Sequence, residues 1–380
     1  MYYFLRFIDG MGILHMSYSN WVMMGVALFL AYLGIVKKYE PLLLIPISFG
    51  MLVANVPVAG LSAHYDGGMI NFLYQGITNV IFPPLIFLCL GAMTDFGPMI
   101  RSPHNVLIGL GGQLGILVTF GGALLLGNLF PNLLPFTIQE AATVGIIGSS
   151  DGPTTIMISA TIAPHLLPIV AIAAYTYMAL VPIIQPPIMR ALTTPAERVI
   201  VMPEPKNVTK LQRIVFPFGL TIFTLLLVPP AAPLIGMLML GSLIKESGVV
   251  DRYLNTLQEH LLNILTIFLG LCIGATAEGD HILKFRTVVI ILLGFFAFAM
   301  GTVGGVLIAK LLCKLTGGKV NPLIGNSGVS AMPMAARVSQ KVGAEYNPQN
   351  FLLMHAMGPI VASTIGSALV AGIFIALFGQ

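Results

Sequence analysis

An all-α polytopic membrane protein is the fold class that three properties of this sequence predict. Of the 380 residues 57% are hydrophobic and only 8% charged, where a globular chain carries about 25% charge. Mean hydropathy is +0.93. Ten apolar runs approach the roughly 20 residues that a spanning helix needs. The 18 basic and 14 acidic side chains are too few to cover a water-facing surface of this size, which excludes a cytosolic enzyme. The net charge of +4 comes from Lys and Arg placed singly or in small groups between apolar stretches, as topogenic charges are, so the expected surround is a lipid bilayer and no nucleic-acid partner is expected. Cys89, Cys272 and Cys313 show no CxxC or His spacing and read as core packing. Arg6, Asp9 and His15 precede the first long apolar run, so no cleavable signal peptide is expected.

In chain order the expected spans are residues 21–36, 42–58, 70–93, 106–130, 166–192, 214–228, 231–243, 261–275, 288–312 and 351–378. Several are short or broken by Pro, and irregular backbone at membrane depth is tolerated only where protein or a wet cavity satisfies its polar groups. The longest polar interruption, residues 193–213, holds Arg198, Lys206, Lys210 and Arg213, with Arg190 just before it. The positive-inside rule makes this a cytoplasmic linker between two transmembrane halves, 1–192 and 214–380. Lys245, Arg252, Lys310, Lys314 and Lys319 then face the cytoplasm as well. Before residue 100, Lys37 and Lys38 are the one basic cluster.

Each half contains one broken segment. In the first, residues 138–147 are apolar, GSSDGPT follows at 148–154, and 155–164 are apolar again. In the second, IGNSGVSAMPMAARV occupies 324–338. Ile147-Gly148-Ser149-Ser150 matches Ile324-Gly325-Asn326-Ser327, each followed shortly by Gly and Pro, which reads as an internal repeat. Short apolar pieces interrupted by Gly and Pro at matching places in two halves mark a transporter binding site near the bilayer midplane. The competing explanation is ordinary Gly-Pro turns outside the membrane, against which each flanking piece is only about half a span long.

Asp151 is the sharpest single residue. No Lys or Arg lies within ten positions of it, and an aspartate at bilayer depth costs about 2.5 to 3.5 kcal/mol even on the lenient insertion scale. A bound cation offsets that cost, and Ser149, Ser150, Thr154 and nearby carbonyls are hard oxygen ligands for an alkali ion. The plainer role is a cap on the helix that begins at Pro153. The second segment adds Asn321, Asn326, Ser327 and Ser330 as oxygen donors and then Arg337, whose planar fork suits a carboxylate; here the plainer role is a topogenic charge. Tyr177, in AYTYMALVPIIQPP, supplies a hydroxyl on a Pro-rich span with Gln185 two turns on. Asp95 reads as interfacial and His355 as a polar intrusion. Gly111 and Gly115 form a GxxxG pair suited to helix packing, and no nucleotide loop is present.

Together GAMTDFGPMI at 91, SSDGPT at 149, AYTYMALVPIIQPPIM at 174, ESGVVDR at 246, NPLIG and GVSAMPMAARVS within 321–339, and NFLLMHAMGP at 350 resemble the beta subunit of the biotin-dependent sodium-pumping decarboxylases: the oxaloacetate, methylmalonyl-CoA, glutaconyl-CoA and malonate enzymes. The resemblance covers almost the whole chain. It implies two inverted-repeat halves with broken helices, similar in fold to elevator-type carboxylate transporters, in a bacterial or archaeal cytoplasmic membrane. It also implies a translocase-type enzyme that removes CO2 from carboxybiotin and exports Na+. The carboxybiotin would come from a biotin carrier, with carboxyltransferase and small membrane-anchor subunits as further partners and a homo-oligomer of this chain; no covalent biotin is expected here. By this resemblance Asp151 is sodium ligand and coupling carboxylate, Tyr177 stands beside the reaction centre, Asn321, Gly325 and Ser330 surround a second ion position, and Arg337 anchors carboxybiotin. The full expected ion set is Asp151, Ser149, Ser150, Asn321, Gly325, Asn326 and Ser330, with Ser330 also beside the cofactor. Many members read GGADGPT and GSAGVSA where this chain has GSSDGPT and GNSGVSA, changes that add oxygen donors. The usual GPNVAG reads GPIVAS, placing Ile360 where the family has Asn. The early insertion of the oxaloacetate enzymes is missing. The alternative is a stand-alone sodium-coupled carboxylate symporter built on the same segments, which would need no biotin protein.

Overall fold

The computed structural model describes residues 1–203 and 208–379, so Lys206 of the linker lies outside the described residues. Every regular element among them is a helix. In the first half α1 (Tyr2–Asp9) precedes α2 (Tyr18–Ile35), which begins at a capping box in which Ser17 and Asn20 each bond the other's backbone N–H. A turn with positive φ at Lys38 and Glu40 reverses the chain into α3 (Pro41–Ala54). The expected span 70–93 is α4 (Met69–Thr78) and α5 (Phe82–Met93), bent by 70° where Val80 takes a positive φ and Pro83 starts a new helix. After α6 (Gly97–Arg101), α7 (His104–Gly112) and α8 (Leu114–Leu129) run on as one span. The first broken segment is a helical hairpin. Its arms are α9 (Ile138–Gly145), capped by Thr137 and Glu140, and α10 (Gly152–Ile162), capped by Asp151; a 3-10 turn, Ile146–Ser149, forms its tip. The 26-residue α11 (Leu167–Leu192) stays helical through Pro182, Pro186 and Pro187 and leads into α12 (Pro195–Arg198).

The second half begins with α13 (Lys210–Leu227) and α14 (Ala232–Ser247). Then α15 (Asp251–Asn255) continues through a π turn into α16 (Leu262–Ala275). The short α17 (Gly279–Ile282) precedes the 31-residue α18 (Phe285–Leu315). A 3-10 segment, Pro322–Gly328, and α19 (Met334–Tyr346) make the second hairpin, followed by α20 (Leu353–Phe378). Among the described residues seven helices are long and apolar enough to cross a membrane, eight if the bent pair is one span. All ten expected runs are helical, but α3 and α14, with 14 and 16 residues, are shorter than a full span.

The two hairpins enter from opposite ends. α18 provides the ruler, because its residues rise about 1.5 Å each and carry it roughly 46 Å. At its start Arg286 pairs with Glu140 of the first hairpin at 2.6 Å. Near its finish Lys310 donates to the carbonyl of Leu192, at the head of the linker, at 2.9 Å. The second hairpin opens at this linker end: Asn321 donates to the carbonyls of Arg198 and Ile200, and Arg198 donates to the Tyr346 hydroxyl at 2.6 Å. The tips meet in the middle, where the Ser330 N–H donates to the Ser149 carbonyl at 2.9 Å. In lipid, helices associate through close van der Waals packing rather than hydrophobic burial, and small residues permit it. Gly111 lies under the Gly304 carbonyl of α18 and Gly115 under that of Gly148 at the first tip, so a Cβ would stand 2.9 and 2.5 Å from those oxygens.

Contacts divide the helices into two groups. One holds α2 to α5, α13, α14 and α16; the other holds both hairpins with α7, α8, α11, α18 and α20.

Candidate functional site

Where the groups face each other they enclose a cavity of about 230 Å³. One wall is mostly apolar, with Leu43, Leu90 and Leu269 from the first group; the other carries Asp151, Tyr175, Ser330, Arg337 and Thr364. The fold builds this polar wall by stopping two helices halfway through the molecule. Each interrupted hairpin brings its tip, with short polar side chains, to the same depth, where the Ser330 N–H meets the Ser149 carbonyl.

Asp151 is 4% exposed and has no basic partner among the described residues. Its Oδ1 accepts the Thr154 N–H at 3.3 Å, the expected cap, and its Oδ2 accepts the Ser367 hydroxyl at 2.8 Å. Three further hydroxyls around it, those of Ser150, Thr154 and Tyr175, are buried and make no hydrogen bond. Tyr175 lies directly over the Asp151–Gly152 link, since a Cβ on Gly152 would be 2.7 Å from its hydroxyl. A buried carboxylate with unpartnered hydroxyls on neighbouring residues fits a desolvated alkali cation, which takes hard oxygen ligands. Ser150 sits in the left-handed region, φ 57°, which forms the corner before Asp151.

The structure brings only some of the expected residues to this place. Ser330 lines the cavity and its hydroxyl bonds those of Ser363 at 3.0 Å and Ser367 at 3.4 Å. Arg337, in the first turn of α19, lines it as well. Ser149 supplies its carbonyl to the tip contact while its hydroxyl is occupied by the Ile146 carbonyl. Asn321 does not line the cavity; its amide is used in fastening the linker. Gly325 packs against Gly305 of α18. Asn326 exchanges hydrogen bonds with Gln185 and also donates to the Ala335 carbonyl. Tyr177 does not line the cavity either: two positions along a helix turn it about 200° from Tyr175, and its hydroxyl donates to the Ile291 carbonyl of α18. Ile360 is fully buried in an apolar cluster with Val329 and Met334. Asp95 pairs with Arg213, which also reaches Glu246.

Three contributors, Tyr175, Ser363 and Ser367, were not marked by the broken-segment pattern of the sequence. Tyr175 was hidden by its neighbour Tyr177, and Ser367 with Ser363 by the length of an otherwise apolar span; the run Ser363-Thr364 followed by Ser367 on one α20 face is the signal that marks them.

Comparison with known proteins joins this geometry to a family. The model of the Na+-transporting oxaloacetate decarboxylase beta subunit matches residues 19–378. This chain belongs to that family. The chain is 52% identical to the methylmalonyl-CoA decarboxylase subunit beta of Veillonella parvula, over 98% of this chain and 97% of the relative. It is 50% identical to the glutaconyl-CoA decarboxylase subunit beta of Acidaminococcus fermentans, over 98% and 96%. With the oxaloacetate decarboxylase beta chain 2 of Salmonella typhi it is 46% identical over 97% of each. That last alignment extends over 422 positions, so the Salmonella relative carries residues this 380-residue beta subunit lacks. The protein is therefore a multi-pass beta subunit of the sodium-transporting decarboxylases, a component of an enzyme complex.

Proposed function

We propose that this beta subunit decarboxylates carboxybiotin held by a carrier subunit and couples the reaction to Na+ export from the cytoplasm. The observation that carries this reading is one cavity wall on which Asp151, Tyr175 with its unpartnered hydroxyl, and Arg337 are placed together. Sodium is bound by Asp151, Ser150, Thr154 and Tyr175, with Ser367 orienting the carboxylate. Arg337 forks onto the carboxylate of carboxybiotin. As the N–C bond breaks, CO2 leaves and the electron pair stays on the biotin ring nitrogen, which takes a proton. Tyr175, whose hydroxyl stands at the cavity, serves as relay better than Tyr177, whose proton is engaged by Ile291. Loss of the carboxylate removes the anion that Arg337 held, and this difference between bound states biases an alternating-access movement. Exporting one charge against 100 mV takes about 2.3 kcal/mol.

The opposed hairpins and the two helix groups support an inverted-repeat, elevator-type movement of one group against the other. The end that carries the linker, Lys37, Lys38, Lys245 and Lys310 is the cytoplasmic one, while among the described residues Arg6, Lys284 and Arg286 lie toward the far end. The whole enzyme then comprises carrier, carboxyltransferase and small anchor subunits with more than one copy of this chain in the cytoplasmic membrane, and the acid or acyl-CoA substrate is chosen by the carboxyltransferase. The expected second ion position retains Ser330 alone at the cavity; Asn321, Gly325 and Asn326 brace the hairpin.

The test is the purified complex with Asp151→Asn and, separately, Arg337→Gln. The first abolishes both decarboxylation and sodium transport, and the second raises KM for the carboxylated carrier. Coupled turnover in Asp151→Asn contradicts the assignment.

A further inference from the structure

Glu40 is the one charged side chain on the otherwise apolar wall of the cavity, among the described residues, and Arg337 is on the wall opposite. It occupies the N-cap position of α3, yet its carboxylate accepts no hydrogen bond from that helix, and Pro41 follows it. Its backbone is held in the left-handed region, φ 37° and ψ 65°, two residues after Lys38 at φ 56°. Non-glycine residues enter that region at a cost, and such positions gather at switches and ligand clamps. Burial pushes the Glu40 carboxyl above the ordinary carboxylate range, and the charge of Arg337 facing it pulls the other way. No ion pair within 4 Å involves either residue among those described. A carboxylate that caps nothing and pairs with nothing is therefore held at a distance from the guanidinium assigned to the substrate.

We propose that Glu40 is a resident competitor for Arg337: it is the counter-charge drawn toward Arg337 as the two walls close once the substrate carboxylate has gone, and the bound carboxylate keeps it off. The inference rests on the proposed role of Arg337. While carboxybiotin is bound, two carboxylates share one guanidinium and the Glu40 wall is held off. When CO2 leaves, the product is neutral, and one positive and one negative charge remain to draw the two helix groups together. Glu40 is thus a positioning residue that makes closure depend on decarboxylation, and a specificity residue that disfavours a neutral occupant left in place.

The test uses the whole complex in liposomes with Glu40→Gln and Glu40→Asp, measuring KM for the carboxylated carrier, kcat and sodium moved per CO2 released. Glu40→Gln is expected to lower KM by about twofold to fivefold, the range of a partly exposed charge pair, while sodium per CO2 falls; Glu40→Asp keeps both close to wild type. A raised or unchanged KM in Glu40→Gln overturns the inference. So does a parallel fall of kcat in both variants with the coupling ratio intact, which is what a purely structural residue gives. If Arg337→Gln leaves KM unchanged, the reading of Arg337 fails first; if Arg337→Gln raises KM and Glu40→Gln does not lower it, this inference alone fails. A second measurement needs no variant at Glu40: spin labels at Lys38→Cys and Lys341→Cys, both exposed, report the distance between the two walls. It should lengthen with carboxylated carrier and shorten after decarboxylation, and an unchanged distance overturns the proposal.

Discussion

Tyr175→Phe separates a sodium ligand from a packing residue, because the two roles give effects of opposite sign. Tyr175 is 2% exposed and its hydroxyl has no hydrogen-bond partner. A buried unsatisfied hydroxyl costs about 1–3 kcal/mol, so removing it should make the sodium-free protein more stable by up to that amount. If the same oxygen binds sodium, its loss weakens the ion by a similar energy, about 5- to 150-fold in affinity. The assay is thermal unfolding of the purified subunit in potassium buffer and again across a sodium titration. Sodium at one hundred times its wild-type Kd adds about 2.7 kcal/mol to the wild type, and after a tenfold weakening about 1.4. The two sets of curves should therefore converge as sodium rises, with the variant ahead without sodium and gaining less from it. A variant that is less stable without sodium and gains the full sodium increment would refute the reasoning. Tyr177→Phe is the internal control: it removes a hydroxyl engaged by the Ile291 carbonyl and should lower stability by about 1 kcal/mol with sodium affinity unchanged.

Gly112→Ala places a Cβ 1.6 Å from the Gly328 carbonyl oxygen. Backbone must then move the tip of the second hairpin, and stability should fall by about 1–3 kcal/mol or more, whereas Gly25→Ala, with nothing within 4 Å, should be neutral or mildly stabilising in the same thermal assay. Asn321→Ala removes the hydrogen bond to the Arg198 carbonyl, while the Ile200 carbonyl keeps its bond from Asn350, and should destabilise by about 1–3 kcal/mol without altering sodium affinity; a weakened sodium dependence would restore Asn321 to the ion site. Burial raises the Glu197 carboxyl, but the hydrogen bonds from Thr194 and the charge of Lys310 outweigh it, so the carboxyl is held below its ordinary value of 4.5. A depressed folded-state value contributes stability that is present above pH 4.5 and is lost as pH falls through the lower, folded value. Unfolding temperature against pH should accordingly drop less on acidification in Glu197→Gln than in the wild type.

The apolar helices and the two broken segments were legible because each leaves a local trace: apolar length, and Gly-Pro breaks in short apolar pieces. Asp151 stood out for the same reason, a single charge without company. What stayed hidden is what depends on rotation about a helix. Tyr175 and Tyr177 are two residues apart and indistinguishable by type, yet one faces Asp151 and the other faces Ile291. Asn321 and Asn326 look like ion ligands by chemistry, but each is buried at 0% exposure beside carbonyls and an amide that consume its hydrogen bonds. Ser367 meets Asp151 across 216 positions of sequence, a pairing that only the opposed hairpins and α20 create. The 70° bend between α4 and α5 was masked by unbroken hydropathy, although Val80 at positive φ and Pro83 mark the place.

The most direct test of the central claim is uptake of radioactive sodium into inverted vesicles carrying the complete complex, with and without avidin to sequester biotin. The account predicts uptake that requires the carboxylic substrate, is blocked by avidin and disappears in Asp151→Asn together with CO2 release. Avidin-insensitive uptake, or decarboxylation that proceeds in Asp151→Asn, would contradict it.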